Sequence, residues 1–392
     1  MPPAPLAGLK VVEFVHMVMG PTAGLVLADL GADVIKVEPR PDGDNTRRLT
    51  GAGAGFFVMF NRNKRSLAVD LKRPEGMRLV RKLLDGADIL IENFRPGAMD
   101  KLGLDYAALA ATNPRLIYCS CKGFLPGPYE HRTALDEVVQ MMGGLAYMTG
   151  LPDRPLRAGT SVNDIMGGMF GVIAILAALH ERQATGRGRY VQSALFENTV
   201  LLMGQHMAQI AVTGKAPAPM SQRAPTWPVY DIFDTADNGQ IFIGAVTDGQ
   251  WQVLCKAFSL DDLAVDPTLA TQAERVAQRA RTIPRIAEVF RRFTRAELMC
   301  RCEERGLPFA PIGKPIDLFD DPHLNASGGL LRTRLPDGTE AKLPALPIAI
   351  DGAPCPLRRE PPTPGEHDTE IAHELGYDDA EICALRSSGV IV

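Results

Sequence analysis

Leu9-Lys-Val-Val-Glu-Phe14, a turn reading His16-Met-Val-Met-Gly-Pro21, and then Asp33-Val-Ile-Lys-Val-Glu38 form the stretch from which the fold can be read. The two ends are short β-branched runs. Between them Gly20-Pro21 opens a helix, with proline where a helix start tolerates it, and the helix ends near Gly31. Ser66-Leu-Ala-Val-Asp-Leu71, Asp88-Ile-Leu-Ile-Glu-Asn-Phe94 and Leu116-Ile-Tyr-Cys-Ser-Cys121 repeat the strand character, and a helix from Pro74 to Gly86 separates the first two. Strand, crossover helix and strand in repetition predict an α/β unit with a Rossmann-like parallel sheet covered on both faces. Ligands of such sheets bind beyond the carboxyl ends of the strands, so the loops at 15–20, 38–48 and 93–97 frame the expected site. The turn after the first strand lacks G-x-G-x-x-G, and the chain lacks G-x-x-x-x-G-K-[ST], which disfavours NAD, FAD and P-loop ATP chemistry.

Further along, Tyr190-Val-Gln-Ser193 leads into a long helix predicted over 194–212. Residues 213–228 are rich in Pro, Ala, Gly and Ser and read as a linker. Strands at Tyr230–Phe233 and Gln240–Ala245, followed by three helical patterns, make 229–325 a smaller α+β domain. A hairpin is expected at Pro336-Asp-Gly338, and two short helices at 368–375 and 379–387 close a proline-rich segment, 326–392. That segment holds too little apolar surface for a core of its own and is expected to pack on another part of the fold.

A 392-residue chain with 46% hydrophobic and 22% charged residues is a globular protein of about two domains. Its net charge of −4 argues against general nucleic-acid or membrane-surface binding. The longest apolar run, Met166–Leu179, is broken by glycines and is expected to be too short to span a bilayer. The N-terminus lacks signal-peptide character, so a cytoplasmic location is expected. Seven scattered cysteines fit neither a disulfide framework nor a zinc site, and no metal is expected. Basic residues gather at Arg40, Arg47, Arg48, Arg62, Lys64, Arg65, Lys72, Arg73, Arg95 and Lys101. Beside strand ends they suit a phosphorylated ligand; a solvated face is the competing reading.

The candidate chemistry lies in Gly159-Thr-Ser-Val-Asn-Asp164-Ile-Met-Gly-Gly168. Asp164 stands at the start of an apolar helix, where free N–H groups and the positive dipole end favour its ionised form. Gly167 and Gly168 carry no side chains, so a bulky substrate can approach the carboxylate, and their N–H groups are candidate oxyanion donors. A carboxylate so placed suits covalent catalysis. Against this, an Asp in that position is commonly only an N-cap, and a Gly-Gly pair is commonly a helix packing contact.

In order and spacing the segments resemble the class III CoA-transferase family, which includes formyl-CoA and carnitine CoA-transferases and the α-methylacyl-CoA racemases. Those that carry the resemblance are Gly8-Leu-Lys-Val-Val-Glu-Phe14, Gly20-Pro-x-Ala-Gly24, Leu30-Gly-Ala-Asp-Val-Ile-Lys-Val-Glu38, Gly43-Asp44, Asn61-Arg-Asn-Lys-Arg-Ser66, Glu92-Asn-Phe-Arg-Pro-Gly97, Asn163-Asp164, Gly186-Arg-Gly188, Gly365-Glu-His-Asp-Thr-Glu-Ile371 and Glu374-Leu-Gly-Tyr377. The resemblance implies a large domain built from both chain ends, a smaller middle domain and an interlocked homodimer. It also implies that Asp164 attacks an acyl-CoA and carries CoA as an aspartyl thioester to an acceptor acid. CoA contacts then fall on Val18, Met19, Leu71, Lys72, Asn93, Phe94, Arg95, Lys101, Arg132 and Leu135. Arg40 stands one place beyond the family's usual arginine. His16, Asp136, Gly167, Gly168 and Trp227 are expected to border the substrate. Coenzyme A enters as substrate, and no tightly bound cofactor is implied.

Departures narrow the choice. Val18 replaces the glutamine of formyl-CoA transferases, and the glycine-rich loop of those enzymes is missing near 223–227, so formate and oxalate are disfavoured. Leu135 and Thr247 stand where racemases carry a His and a Glu, with Asp248 one place on. This favours transfer over a 2-methylacyl-CoA racemase or epimerase. A CoA-binding protein without catalysis is the other rival. The methionines at 17, 19, 141, 142 and 166 point to an acyl group larger than formyl, a dicarboxylate or aromatic acid.

Overall fold

The structure, a computed structural model, describes residues 4–222 and 225–392. They form two compact units, one made of residues 4–222 with Pro322–Val392 and the other running from 225 to Asp321. Arg223 and Ala224, within the stretch compared with the glycine-rich loop, lie outside the described residues.

The first unit is built on strands Lys10–Phe14 (β1), Asp33–Glu38 (β2), Lys64–Ala68 (β3), Ile89–Glu92 (β4), Ile117–Lys122 (β5) and Tyr190–Ala194 (β6). All pair in parallel, in the order β3-β2-β1-β4-β5-β6. This is the doubly wound order, whose switch point falls between β1 and β4. The sixth strand was not expected: Tyr190-Val-Gln-Ser-Ala194 carries one β-branched residue, and its backbone is recruited by β5. The helix predicted over 194–212 is two, Leu195–Leu202 and Gly204–Thr213, divided at Met203.

Because successive strand residues face opposite ways, the sheet makes two cores. Val12, Phe14, Ile35, Leu90 and Tyr118 face one side, where Leu79 and Leu83 of helix Pro74–Asp85 meet Ile371, Ile382, Leu385 and Ile391 of the C-terminal segment. Val11, Val34, Ile91, Ile117 and Cys119 face the other, covered by helix Met19–Asp29 (α1) and by the long helix Val162–Thr185 through Val172, Ile175 and Ala178. The C-terminus is tied in by Asp368, which accepts from Ala68 N–H at 2.9 Å and Val392 N–H at 2.8 Å. The second unit pairs Val229–Asp234, Gln240–Ala245 and Phe309–Pro311 antiparallel, over a core of Trp251, Phe258, Ile286 and Phe290.

The long helix runs 24 residues and is, by length and composition, long and apolar enough to cross a membrane, contrary to the expectation from its glycine-broken apolar run. The glycines do not interrupt it because they sit against α1. Its buried face lies on the sheet, while Met169, Ile173 and Leu176 stay exposed.

Part of the basic cluster is internal: Arg62, Lys64 and Arg65 are buried and Arg40 and Arg47 half-buried, while Arg48, Lys72, Arg73, Arg95 and Lys101 are exposed. Lys64 pairs with Glu13 at 2.8 Å with both side chains fully buried, and Arg62 pairs with Asp29 at 2.7 Å. Arg65 meets Asp33, Glu370 and Glu374, and Arg47 meets Glu38. Burying these cations required partners, so the expected phosphate role falls away for them.

Candidate active site

The long helix starts at Val162 with no side-chain cap from its own N-cap residue, Ser161. The cap comes from another segment. Asp136, buried in the first turn of helix Asp136–Met142, accepts through Oδ2 from the N–H groups of Asn163 at 2.8 Å and Asp164 at 3.0 Å. Its Oδ1 accepts from Gln140, whose own amide oxygen receives Ala158 N–H at 2.8 Å. The capping role is thus filled, and no described residue gives the Asp164 carboxylate a hydrogen bond or ion pair. Burial, and second the Asp136 charge, push Asp164 up to about 7.

Asp164 opens on a cavity of about 400 Å³. His16, Met17, Val18 and Met19 after β1, Asn93 after β4, Leu135, Asp136 and Glu137, and Arg157 and Ser161 line it with Asp164. It therefore lies at the switch point of the sheet, where helix and strand ends leave a crevice. Asn93 clamps the first loop by accepting from His16 N–H at 3.0 Å and donating to His16 C=O at 2.8 Å. Met17 is held at a φ of 61° with its N–H on Thr46 Oγ1 at 2.9 Å. Thr46 donates to Asp44 at 2.8 Å, Asp44 pairs with Lys36 at 2.9 Å, and Lys36 donates to Val15 C=O at 2.7 Å. Burial opposes the charge on Asp44, yet Lys36 and the Thr46 donors hold it below its ordinary value. This buried polar chain fixes a strained loop that hydrophobic packing alone would let relax.

Of the expected site residues, His16, Val18, Met19, Asn93, Leu135, Asp136 and Asp164 meet around this cavity. The Phe94 ring stands 5.9 Å from the His16 ring. Arg95 lines a neighbouring cleft of about 430 Å³ with Glu92, Tyr118 and Tyr190, and Lys122 borders both hollows. Leu71 packs on the sheet core; Lys72 and Lys101 are exposed, Arg132 lies over the Tyr129 ring, and Arg40 donates to Gly389 C=O at 2.8 Å. Trp227 belongs to the second unit, where its carbonyl accepts from Arg279 at 2.9 Å. Asp248 is paired with Arg275 there, and Thr247 caps the helix that follows it.

Gly167 and Gly168 need correction. Both are buried and face α1: a Cβ at Gly168 would come within 2.6 Å of the Met19 carbonyl, and one at Gly167 within 2.5 Å of the Met19 side chain. The helical hydrogen bonds begin at Ile165 N–H, so the glycine N–H groups lie past the free first turn and cannot serve as oxyanion donors. Gly168→Ala is expected to cost about 1–3 kcal/mol by overpacking. Thermal unfolding checks this, and an unchanged midpoint would mean the two helices slide apart freely. Reading the residues in order missed Arg157 and the capping role of Asp136. No local pattern signals either, since Arg157 meets Glu137 and Asp136 meets the start of the long helix across intervening stretches of chain.

Residues 6–368 match CoA-transferase family III. The chain belongs to that family and is a CoA-transferase, an enzyme that moves CoA between an acyl-CoA and an acid. It is 36% identical to the succinate–glutarate CoA-transferase of Agrobacterium fabrum, over 95% of this chain and 96% of that one. With the succinyl-CoA–D-citramalate CoA-transferase of Chloroflexus aurantiacus it shares 33% identity over 100% of this chain and 99% of that one. Among solved structures, a CAIB/BAIF family protein from Brucella suis superposes with a TM-score of 0.84 at 37% identity, covering 95% of this chain and all of that one (100%).

Proposed function

We propose that the chain transfers CoA from an acyl-CoA, with a dicarboxylic monoacyl-CoA as first donor class, to a free carboxylic acid through an aspartyl-CoA thioester on Asp164. The observation that carries this reading is a carboxylate relieved of capping duty by Asp136 and left without a partner among the described residues, at the mouth of a switch-point cavity. The names of the relatives, which act on succinate, glutarate and D-citramalate, support the donor class.

The Asp164 oxygen attacks the thioester carbon, the C–S bond breaks, and CoA leaves as thiolate from a mixed anhydride. The thiolate then attacks the Asp164 carbonyl carbon and releases the donor acid as carboxylate. An acceptor carboxylate attacks the aspartyl thioester, and the returning thiolate takes the acceptor acyl group and frees Asp164. Each step exchanges a carboxylate and a thiolate, so no proton has to move and the barrier is divided. Val18, Met19, Asn93 and Leu135 border the thioester end. Phe94, Arg95, Leu71, Lys72, Lys101 and Arg132 are assigned to the rest of CoA on the family likeness. A cytoplasmic homodimer completes the reading, and the exposed apolar face of the long helix, Met169, Ile173 and Leu176, supports burial against a second copy.

The test is a panel of acyl-CoA donors against free acids, read by mass spectrometry for new thioesters. Failure of every pair to yield one would overturn the proposal. Attack requires the ionised carboxylate, and its pKa is about 7. Single-turnover adduct formation should therefore climb with slope one in log rate below that pH and level above it. Quench-flow across the range checks this, and a flat profile through neutrality would contradict it.

A further inference from the structure

The charges around the Asp164 cavity are unbalanced in a way the reaction itself does not require. Asp136, Glu137 and Asp164 place three carboxylates on its wall, so an acyl group with a second carboxylate would be repelled unless a cation received it. Two strong cations line the same wall, Lys122 and Arg157. Lys122 is committed: its Nζ lies 2.8 Å from Glu92 and donates to Phe94 C=O at 2.7 Å, with only 16% of the side chain exposed. Arg157 is not. Its one described partner is Glu137, reached through Nη1 alone, and the two side chains are 36% and 59% exposed. The segment that carries Arg157 is nevertheless anchored on both sides, by Leu156 N–H on Ala146 C=O at 3.0 Å and by Ala158 N–H on Gln140 at 2.8 Å. Met17, Val18 and Met19 after β1 and Leu135 give the same cavity an apolar wall, a surface that suits a short methylene chain.

We propose that Arg157 is the specificity-determining residue for a dicarboxylic acyl group, binding its distal carboxylate and giving up Glu137 to do so. The inference rests on the transfer reaction proposed above. A guanidinium offers two parallel N–H donors to a carboxylate, and here Nε and Nη2 are left for that purpose. Glu137 neutralises Arg157 in the free enzyme and competes with the substrate.

The experiment compares succinyl-CoA with pentanoyl-CoA, which differs by a terminal ethyl in place of the carboxylate, as donors to one acceptor acid. The full-length protein and its Arg157→Gln, Arg157→Lys and Glu137→Gln variants are assayed. The wild type should prefer succinyl-CoA. Arg157→Gln should shrink the kcat/KM ratio of the two donors by roughly 10- to 100-fold, through the KM of succinyl-CoA. Arg157→Lys should keep part of the ratio, and Glu137→Gln should lower the KM for succinyl-CoA. Equal losses on both donors, an unchanged ratio, or a wild type without preference would each overturn the role of Arg157 while leaving the transfer reaction standing. A wild type that transfers from no donor would overturn both.

Discussion

Asp164→Asn should lower turnover by about 10⁴-fold or more, because the amide keeps the shape of the side chain and removes the nucleophile. The wild type, incubated with a donor acyl-CoA, should form an adduct at Asp164 that hydroxylamine cleaves, and the variant should form none. CoA affinity should survive the change, since the surrounding walls are formed by other residues. Activity within tenfold of wild type, or an adduct on another residue, would sink the covalent mechanism. The variant leaves the helix cap untouched, because Asp136 accepts from the Asp164 backbone and not from its side chain. A loss therefore reads on chemistry rather than on folding.

Glu13→Gln should carry the largest stability cost in the first unit, about 3–5 kcal/mol. Lys64 and Glu13 are both fully inside the protein, and Lys64 also donates to Pro21 C=O at 3.0 Å and Asn61 at 3.2 Å. Burial already pushes Lys64 down to about 8 against the opposing pull of Glu13. Without that carboxylate an uncompensated ammonium is left in the core. Thermal unfolding should show the transition falling by several degrees, and Glu13→Gln combined with Lys64→Met should recover most of the loss. A single variant as stable as wild type would show that the ion pair contributes no net stabilisation.

Local patterns in the chain were enough for the parallel sheet, for α1 and for the C-terminal helices, because strand alternation, Pro at helix starts and turn residues act over a few positions. The edge strand Tyr190–Ala194 escaped notice because its composition is ambiguous and its partner, β5, is about seventy residues earlier in the chain. The basic loops misled for a related reason. A run of Arg and Lys looks the same whether it meets solvent or carboxylates such as Asp29 and Glu13, which come from other strands and helices.

Order of residues alone was sufficient for the α/β class, since periodicity is a local property, while it offered Asp164 as a carboxylate at a helix start, where a plain N-cap is the commoner role. It was also sufficient for the absence of dinucleotide and P-loop motifs. Only the folded chain decided that Asp136 caps the long helix and frees Asp164, that Gly167 and Gly168 serve packing against α1, and that Arg157 reaches the same cavity. Those relations join segments whose spacing in sequence carries no information about their distance in space, and burial and charge act on that distance.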